Sequence, residues 1–222
     1  MRSLKVLSVM LAVSGWHAIA LADGSFEVAK VVLERNVTDK DSEARIEAIG
    51  AGAALASLKV VAPDGRTVVD YKATDSKLGM RHFTFESPEP NDSAAVQVDF
   101  PVGAYVFTGT TVTGEQLQGS AMLTHAFPAA ATLLRPLADA RNVSTRGLRV
   151  VWKPVKGAAA QNVVIEDEAS GREVNAKLSG AASSFVVPDG FLQPGIEYKV
   201  AVGTIAQDGN SSYVEAAFTT AK

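Results

Sequence analysis

Short apolar stretches separated by turn residues fill the second half of this 222-residue chain and restrict what it can fold into. The stretches recur about every ten residues, with Ser170-Gly171, Asp189-Gly190 and Asp208-Gly209 standing between them. A short polar residue followed by glycine is typical of tight turns, and apolar stretches of this length favour strands over helices. The pattern predicts an antiparallel β-sandwich. Its predicted strands are 148–152, 162–166, 172–177, 184–187, 198–205 and 213–219.

A proline-glycine corner, LQPGIEY, leads into the longest of these predicted strands. Together with an upstream tryptophan it resembles a fibronectin type III domain, and the resemblance extends over residues 134–222. The residues that carry it are Trp152, Leu192, Pro194, Gly195 and Tyr198. The resemblance implies that all five are structural, with Trp152 inside the core and the Tyr198 hydroxyl bonded to a backbone carbonyl. The chain departs from the family at Asn162, where an aromatic residue often opens the third strand.

Residues 23–133 also alternate between apolar and polar positions, and they predict a second antiparallel β-sandwich. The closing segment of this half, FPVGAYVFTGTTVTGEQLQGSAMLTH, resembles uncharacterised exported bacterial β-sandwich proteins. Pro63-Asp64-Gly65 predicts a hairpin turn, because proline presets one backbone dihedral and glycine supplies a positive one. The predicted strands are 26–33, 44–49, 57–62, 67–71, 81–85, 95–100, 104–110 and 117–125.

One segment of the N-terminal half needs a decision between strand and helix. The alanine-rich segment 41–58 has possible helix caps at its start, but strict alternation over residues 43–48 favours a strand. Further along the chain, Val96, Val98 and Phe100 occupy every other position, so a strand is expected to turn all three toward one face. The whole chain is therefore predicted to be all-β.

The first 22 residues have the pattern of a secretory signal peptide: a basic start, an apolar run and small residues up to Ala22. Export to the periplasm or the extracellular space is expected, with no membrane span after cleavage. Removing this leader leaves 19 basic residues against 24 acidic ones, a formal charge of −5. Such a balance excludes a nucleic-acid partner, which requires a basic surface. The chain has no cysteine, so its core must hold without disulfides.

Metal binding is not expected from the sequence. After the leader only His82 and His125 remain as histidines, and neither has further ligands at a suitable spacing. Asp39, Asp41 and Glu43 alternate in TDKDSE, but the glycine and glutamate positions of a calcium loop are filled by other residues. A solvated acidic turn is the interpretation that we prefer for these three carboxylates.

No catalytic constellation and no cofactor motif is found either. Ser120 and Ser170 lack the glycines of a nucleophile elbow. Glu166, Asp167 and Glu168 are adjacent, and adjacent strand residues point to opposite faces, so they do not form a catalytic pair. No glycine-rich phosphate loop opens a helix. The sequence therefore predicts a protein that is not an enzyme.

The leading hypothesis is an exported interaction module that binds a protein or a surface polymer. Its binding residues are expected in loops at the sandwich ends, such as residues 208–212. One alternative is a carbohydrate-binding or enzyme-accessory protein that uses Tyr71, Tyr105 and Tyr213 as an aromatic face. A weaker alternative is a periplasmic pilus-type chaperone, in which a basic residue near the seam between the halves clamps a carboxylate. The candidates for that residue are Arg135 and Arg141.

Overall fold

The N-terminal half consists almost entirely of strands. The computed structural model describes residues 24–89 and 93–222, and the predicted signal peptide lies outside them. A 3-10 turn, Ser76–Leu78, and a helix α1, Ser93–Asp99, accompany the strands. These strands are β1 (Gly24–Ser25), β2 (Val28–Asn36), β3 (Asp41–Ile49), β4 (Leu55–Val61), β5 (Thr67–Lys72), β6 (His82–Glu86), β7 (Gly103–Thr111) and β8 (Gln116–Leu123).

Two layers enclose the core of this half. A sheet in the order β1-β8-β7-β4-β5 packs against β2, β3 and β6. The core side chains of β3 are Ala44, Ile46 and Ala48, which are fully buried, while the residues between them carry charge. Alternation at a period of two therefore decided this segment, and the strand prediction is confirmed over the helix alternative.

The strand predicted over residues 95–100 is wrong, because these residues belong largely to α1. Val96 and Phe100 are buried, as residues four apart on one helix face can be, whereas Val98 is 78% exposed. Apolar residues at three alternate positions fit either a short strand or one turn of a helix. A helix forms here because burial of Val96 and Phe100 suffices to anchor a single turn on the core.

The C-terminal half is built from strands alone. β9, β11 and β14 form one sheet, and β13, β12, β15 and β16 form the other in that order. The prediction of an all-β chain with sandwich-type sheets is confirmed. The strands are β9 (Thr132–Arg135), β10 (Ala140–Val143), β11 (Arg149–Lys153), β12 (Ala160–Asp167), β13 (Arg172–Ser179), β14 (Ser184–Val186), β15 (Glu197–Ile205) and β16 (Ser211–Thr220).

The five residues expected to be structural divide between the core and a surface turn. Trp152, Leu192 and Tyr198 are buried in the apolar cluster of the C-terminal half. The Tyr198 hydroxyl accepts from the Gln193 amide at 2.9 Å and lies 3.4 Å from the Phe191 carbonyl oxygen. Pro194 and Gly195, by contrast, are exposed in the turn before β15. Their contribution is therefore to shape the turn, not to fill the core.

One sheet runs through both halves. β16 pairs in parallel with β2, with Ser211 opposite Glu34 and Tyr213 opposite Asn36. The order β13-β12-β15-β16 is thereby continued by β2-β3-β6. β1 with β8 and β10 with β16 are also parallel, and the other strand pairings of the described residues are antiparallel as predicted. The shared sheet has one continuous outer face, although the buried apolar side chains form two clusters, one in each half.

Candidate functional site

The turn between β15 and β16 is enclosed between the two halves. Asn210 is only 1% exposed. Its Oδ1 accepts from the Leu33 amide at 2.8 Å, and its Nδ2 donates to the carbonyl oxygens of Thr124 and Ala126, both at 3.0 Å. The prediction of an exposed binding loop at residues 208–212 is therefore wrong, because most of this turn holds the halves together.

A second group of contacts continues this attachment. Arg35 Nε donates to Ser212 Oγ at 2.8 Å, and another guanidinium nitrogen donates to the Pro128 carbonyl at 3.0 Å. The guanidinium also stacks on Phe127, with 4.8 Å between its carbon and the ring centroid. Such contacts satisfy a charge that the junction would otherwise leave buried. We name this region the joint; it comprises Arg35, Thr124, Phe127, Pro128, Asn210 and Ser212.

Gly209 allows the turn to approach β2 closely. Its φ of +93° lies in the left-handed region, and a Cβ there would come within 2.9 Å of Val32 Cγ1. A larger residue would therefore meet both backbone strain and a steric clash. The Asp-Gly pair that signals a turn in the sequence thus also sets the distance between the two halves.

A polar groove crosses the outer face of the shared sheet beside the joint. It consists of two cavities of about 260 and 230 Å³, and Glu34, Lys199 and Glu215 line both of them. Its side chains come from both halves, because the β16–β2 pairing makes their outer faces continuous. We name this region the groove; its wall includes Glu34, Glu43, Arg45, Asn162, Lys199 and Tyr213.

Tyr213 and Asn162 form part of the groove wall. Asn162 Nδ2 donates to the Tyr213 hydroxyl at 3.1 Å. Burial raises the pKa of Tyr213 to about 12, so its hydroxyl is protonated at neutral pH. Gly203 makes room for the ring, since a Cβ at that position would lie 2.4 Å from Tyr213 Cε1. Asn162 is thus a groove residue, a role that the sequence did not indicate.

Glu43 is the most unusual side chain of the groove. It lies opposite Glu34 in the β2–β3 pairing and is 8% exposed. Burial and the neighbouring carboxylates Glu34 and Glu86 raise the pKa of Glu43 to about 7, although the charge of Arg45 opposes them. The interpretation of TDKDSE as a wholly solvated acidic turn is therefore wrong for this carboxylate.

The two basic side chains of the groove are already paired with other carboxylates. Arg45 contacts Glu34 at 3.4 Å and Glu86 at 3.0 Å. Lys199 contacts Glu168 at 2.8 Å and Glu215 at 3.5 Å, and the hydrogen bond with Glu168 is the largest cause that raises the Lys199 pKa to about 12. Among the described residues, the Glu43 side chain has neither a hydrogen bond nor an ion pair.

The other residues considered for chemistry are scattered. His82 is exposed and contacts Glu47 at 2.9 Å, whereas His125 contacts the Phe100 carbonyl oxygen at 2.8 Å on a different side of the core. Ser170 donates to Asp167 at 2.6 Å within a turn. In the part of the chain that the structure describes, no group of three or more histidine, aspartate or glutamate residues is placed to hold a metal ion.

The residues behind the two alternative functions do not converge. Tyr105 is fully buried and bonds the Pro101 carbonyl, Tyr71 lies on β5, and only Tyr213 reaches the groove. These tyrosines therefore share no aromatic face. The two arginines near the seam are both exposed, Arg135 on β9 and Arg141 on β10. Neither of them lines the groove.

Comparison with known proteins finds distant likenesses of fold. No protein-family model matches the sequence, and a search of curated proteins finds no match. The fibronectin(III)-like modules of Clostridium thermocellum CbhA align over 89% of this chain and 93% of theirs, at 9% identity and a TM-score of 0.37.

Two further solved structures are similar at the same level. A segment of two fibronectin type III domains from chicken tenascin aligns over 88% of this chain and 99% of its own, at 12% identity and a TM-score of 0.34. The fn3 domain of the human collagen alpha-1(XX) chain aligns over 44% of this chain and 92% of its own, at 27% identity and a TM-score of 0.34.

Within residues 24–89 and 93–222, no helix has the length and apolar character needed to cross a bilayer.

Proposed function

We propose that this protein is an exported, non-enzymatic interaction module that binds a protein partner through the groove. The observation that carries the proposal is the position of the groove across two halves that the β16–β2 pairing joins into one sheet. Residues from both halves line it, so a partner seated there contacts both at once. A fixed arrangement of the halves lowers the entropy lost on binding.

The joint supports this proposal because it removes the hinge that a two-part chain often has. Relative movement is the usual expectation where halves meet through a small interface. Here the contact includes backbone pairing, a buried amide bonded on both sides and a stacked guanidinium. The groove is therefore presented in a constant shape.

Export and the absence of catalysis are parts of the same proposal. The signal-peptide pattern of residues 1–22 and the lack of cysteine suit a bacterial envelope or secreted protein. Two of the groove carboxylates, Glu34 and Glu215, contact Arg45 and Lys199 respectively. Ion pairs of this kind suit electrostatic recognition of a partner.

A protein partner is favoured over a polysaccharide by the groove wall. Sugar-binding platforms use exposed aromatic rings, and Tyr213 contributes its partly buried ring alone among the three tyrosines considered. The wall instead offers amide, carboxylate and ammonium groups, which suit the hydrogen bonds and charges of a polypeptide.

Photo-crosslinking in the native host tests the proposal. A photo-reactive phenylalanine replaces Asn175, which lines the groove on β13, or, as a control, Thr108 on the outer face of the other sheet. We expect a protein adduct of defined mass from position 175 and none from position 108. The same adducts from both positions, or no adduct from position 175, would contradict the assignment of the groove.

A further inference from the structure

Six carboxylates surround one end of the groove. They line the cavity of about 230 Å³, which we name the acidic pocket, and they are Glu34, Asp39, Asp41, Glu43, Glu89 and Glu215. They come from β2, β3, β16, the turn between β2 and β3, and the segment after β6. Carboxylates from so many chain segments converge at a cost, because like charges at close range repel one another.

The basic residues nearby do not offset this cost at Glu43. Lys199 lies in the pocket wall but contacts Glu168 and Glu215, and Arg45 contacts Glu34 and Glu86. Glu43 is 8% exposed and has no bonded partner among the described residues. A buried carboxylate without a partner destabilises a fold, so a residue of this kind is informative where it lines a cavity.

We propose that the acidic pocket binds a lysine side chain of the partner, whose ammonium group pairs with Glu43. This inference rests on the proposed function and specifies the chemistry of the partner. An ammonium group has three hydrogen-bond donors and a compact charge, and it suits an unpaired carboxylate in a cavity that other carboxylates make negative. The pocket is smaller than the range of about 300–1,000 Å³ found for drug-sized ligands, so it fits a single side chain.

Charge complementarity also distinguishes a protein from a surface polymer at this pocket. Neutral and acidic polysaccharides have no positive charge to place among six carboxylates. Lysine has both the charge and a flexible apolar stem that reaches from the partner's backbone into a narrow opening. A lysine on an exposed segment of the partner is therefore the occupant that we assign.

Binding of this lysine is linked to ionisation of Glu43. The charged groups that face Glu43 are Glu34 on β2, Arg45 on β3, Glu86 on β6 and Glu89 beyond it. Because the pKa of free Glu43 is about 7, the ionised fraction rises roughly tenfold between pH 6 and pH 8. Lysine remains protonated throughout this range. The affinity for the lysine is therefore expected to rise about tenfold over the same interval.

A peptide titration followed by NMR tests the inference on the purified full chain. The probe is an acetylated and amidated Gly-Gly-Lys-Gly-Gly peptide, and the control peptide has an acetylated lysine side chain. We expect shifts of the Glu43 amide with the first peptide only, and at least tenfold weaker binding to Glu43→Gln, because removal of one partner of a desolvated charge pair leaves the other buried and unpaired. Asp70→Asn removes one charge from the other sheet and is expected to change nothing.

Each other outcome overturns the assignment. Equal affinity of wild type and Glu43→Gln, or equal weakening by Asp70→Asn, would reduce the effect to general electrostatic attraction. A constant affinity between pH 6 and pH 8 would remove Glu43 from the site. Tighter binding of glucosamine oligomers than of the lysine peptide would replace the protein partner by an amino sugar. Circular dichroism of both variants confirms that they are folded.

The two proposals can fail separately. An adduct from position 175 without binding of the lysine peptide would leave the interaction module standing and refute the lysine. Specific peptide binding at Glu43 with no adduct from position 175 would retain the chemistry of the pocket and refute the proposed partner in the host.

Discussion

The joint and the acidic pocket are both polar, and both depend on the pairing of β16 with β2. They differ in hydrogen bonding, because Asn210 in the joint is fully bonded and the Glu43 side chain in the pocket has no partner in the described part of the chain. In the joint, both ends of the Asn210 amide have partners in the N-terminal half or in the segment that follows it. In the acidic pocket, Glu43 is buried with no bonded partner among the described residues. A satisfied polar group fixes a structure, whereas an unsatisfied one is available to a ligand.

This difference explains why the candidate site is the groove on the sheet face and not the expected loop at residues 208–212. The turn of residues 208–212 looks like an exposed loop at the end of a sandwich, but most of its polar side chains bond to the neighbouring half. The outer strand faces look like ordinary solvated surfaces, but at the shared sheet they enclose a cavity. The groove therefore differs from the turn in its carboxylate Glu43, unpaired among the described residues, which lines a cavity.

Loss of the buried amide is the largest expected effect and tests the satisfied side of this comparison. Asn210→Ala leaves the Leu33 amide and the Thr124 and Ala126 carbonyls without their side-chain partner. We expect the free energy of unfolding to fall by about 2–4 kcal/mol, measured by urea denaturation. Gln118→Ala, at an exposed position on β8, serves as the control and should change stability by less than about 0.5 kcal/mol. Equal stability of the two variants would show that the joint does not hold the halves together.

The parts of this fold that the sequence predicts well are those in which one period governs a long segment. β3 follows from strict alternation, and the corner before β15 follows from its proline, glycine and tyrosine. The strand prediction at α1 is wrong because the segment is short. Over so few residues, apolar side chains at alternate positions fit both the period of a strand and the period of a helix. A longer segment would distinguish the two periods.

The candidate site was less accessible from the sequence for a physical reason. Alternation indicates that Glu34 and Glu43 point outward, but it does not show that β2 pairs with a strand 177 residues away. That pairing supplies Lys199 and Tyr213 to the same surface. No local pattern assigns Asn162 to this site either, because its partner Tyr213 lies 51 residues away.

The pH dependence of stability tests the unsatisfied side of the comparison, with an intermediate effect. The Glu43 carboxyl ionises near its ordinary value of 4.5 when unfolded but near 7 when folded, so the native state retains a proton that the unfolded state loses. Wild type should therefore lose stability relative to Glu43→Gln as pH rises from 4.5 to 7, by on the order of 2 kcal/mol. Urea denaturation across this range measures the difference, with Asp70→Asn as the charge control. Parallel curves for wild type and Glu43→Gln would mean that Glu43 is solvated like an ordinary surface carboxylate.

The smallest effect is expected at the boundary between the two regions. Tyr213 lies on β16 beside the joint, but its hydroxyl accepts from Asn162 in the groove. Tyr213→Phe keeps the ring over Gly203 and removes only this hydrogen bond. The Asn162 amide can then bond to water instead, because the groove is open. We expect the free energy of unfolding, measured by urea denaturation, to fall by about 0.5–1 kcal/mol. The matched control is Tyr71→Phe on β5 of the other sheet, which loses the hydrogen bond to the Leu78 carbonyl in the 3-10 turn. A loss as large as that of Asn210→Ala would contradict this expectation. It would mean that the Tyr213–Asn162 contact, like the joint, is needed to hold the fold together.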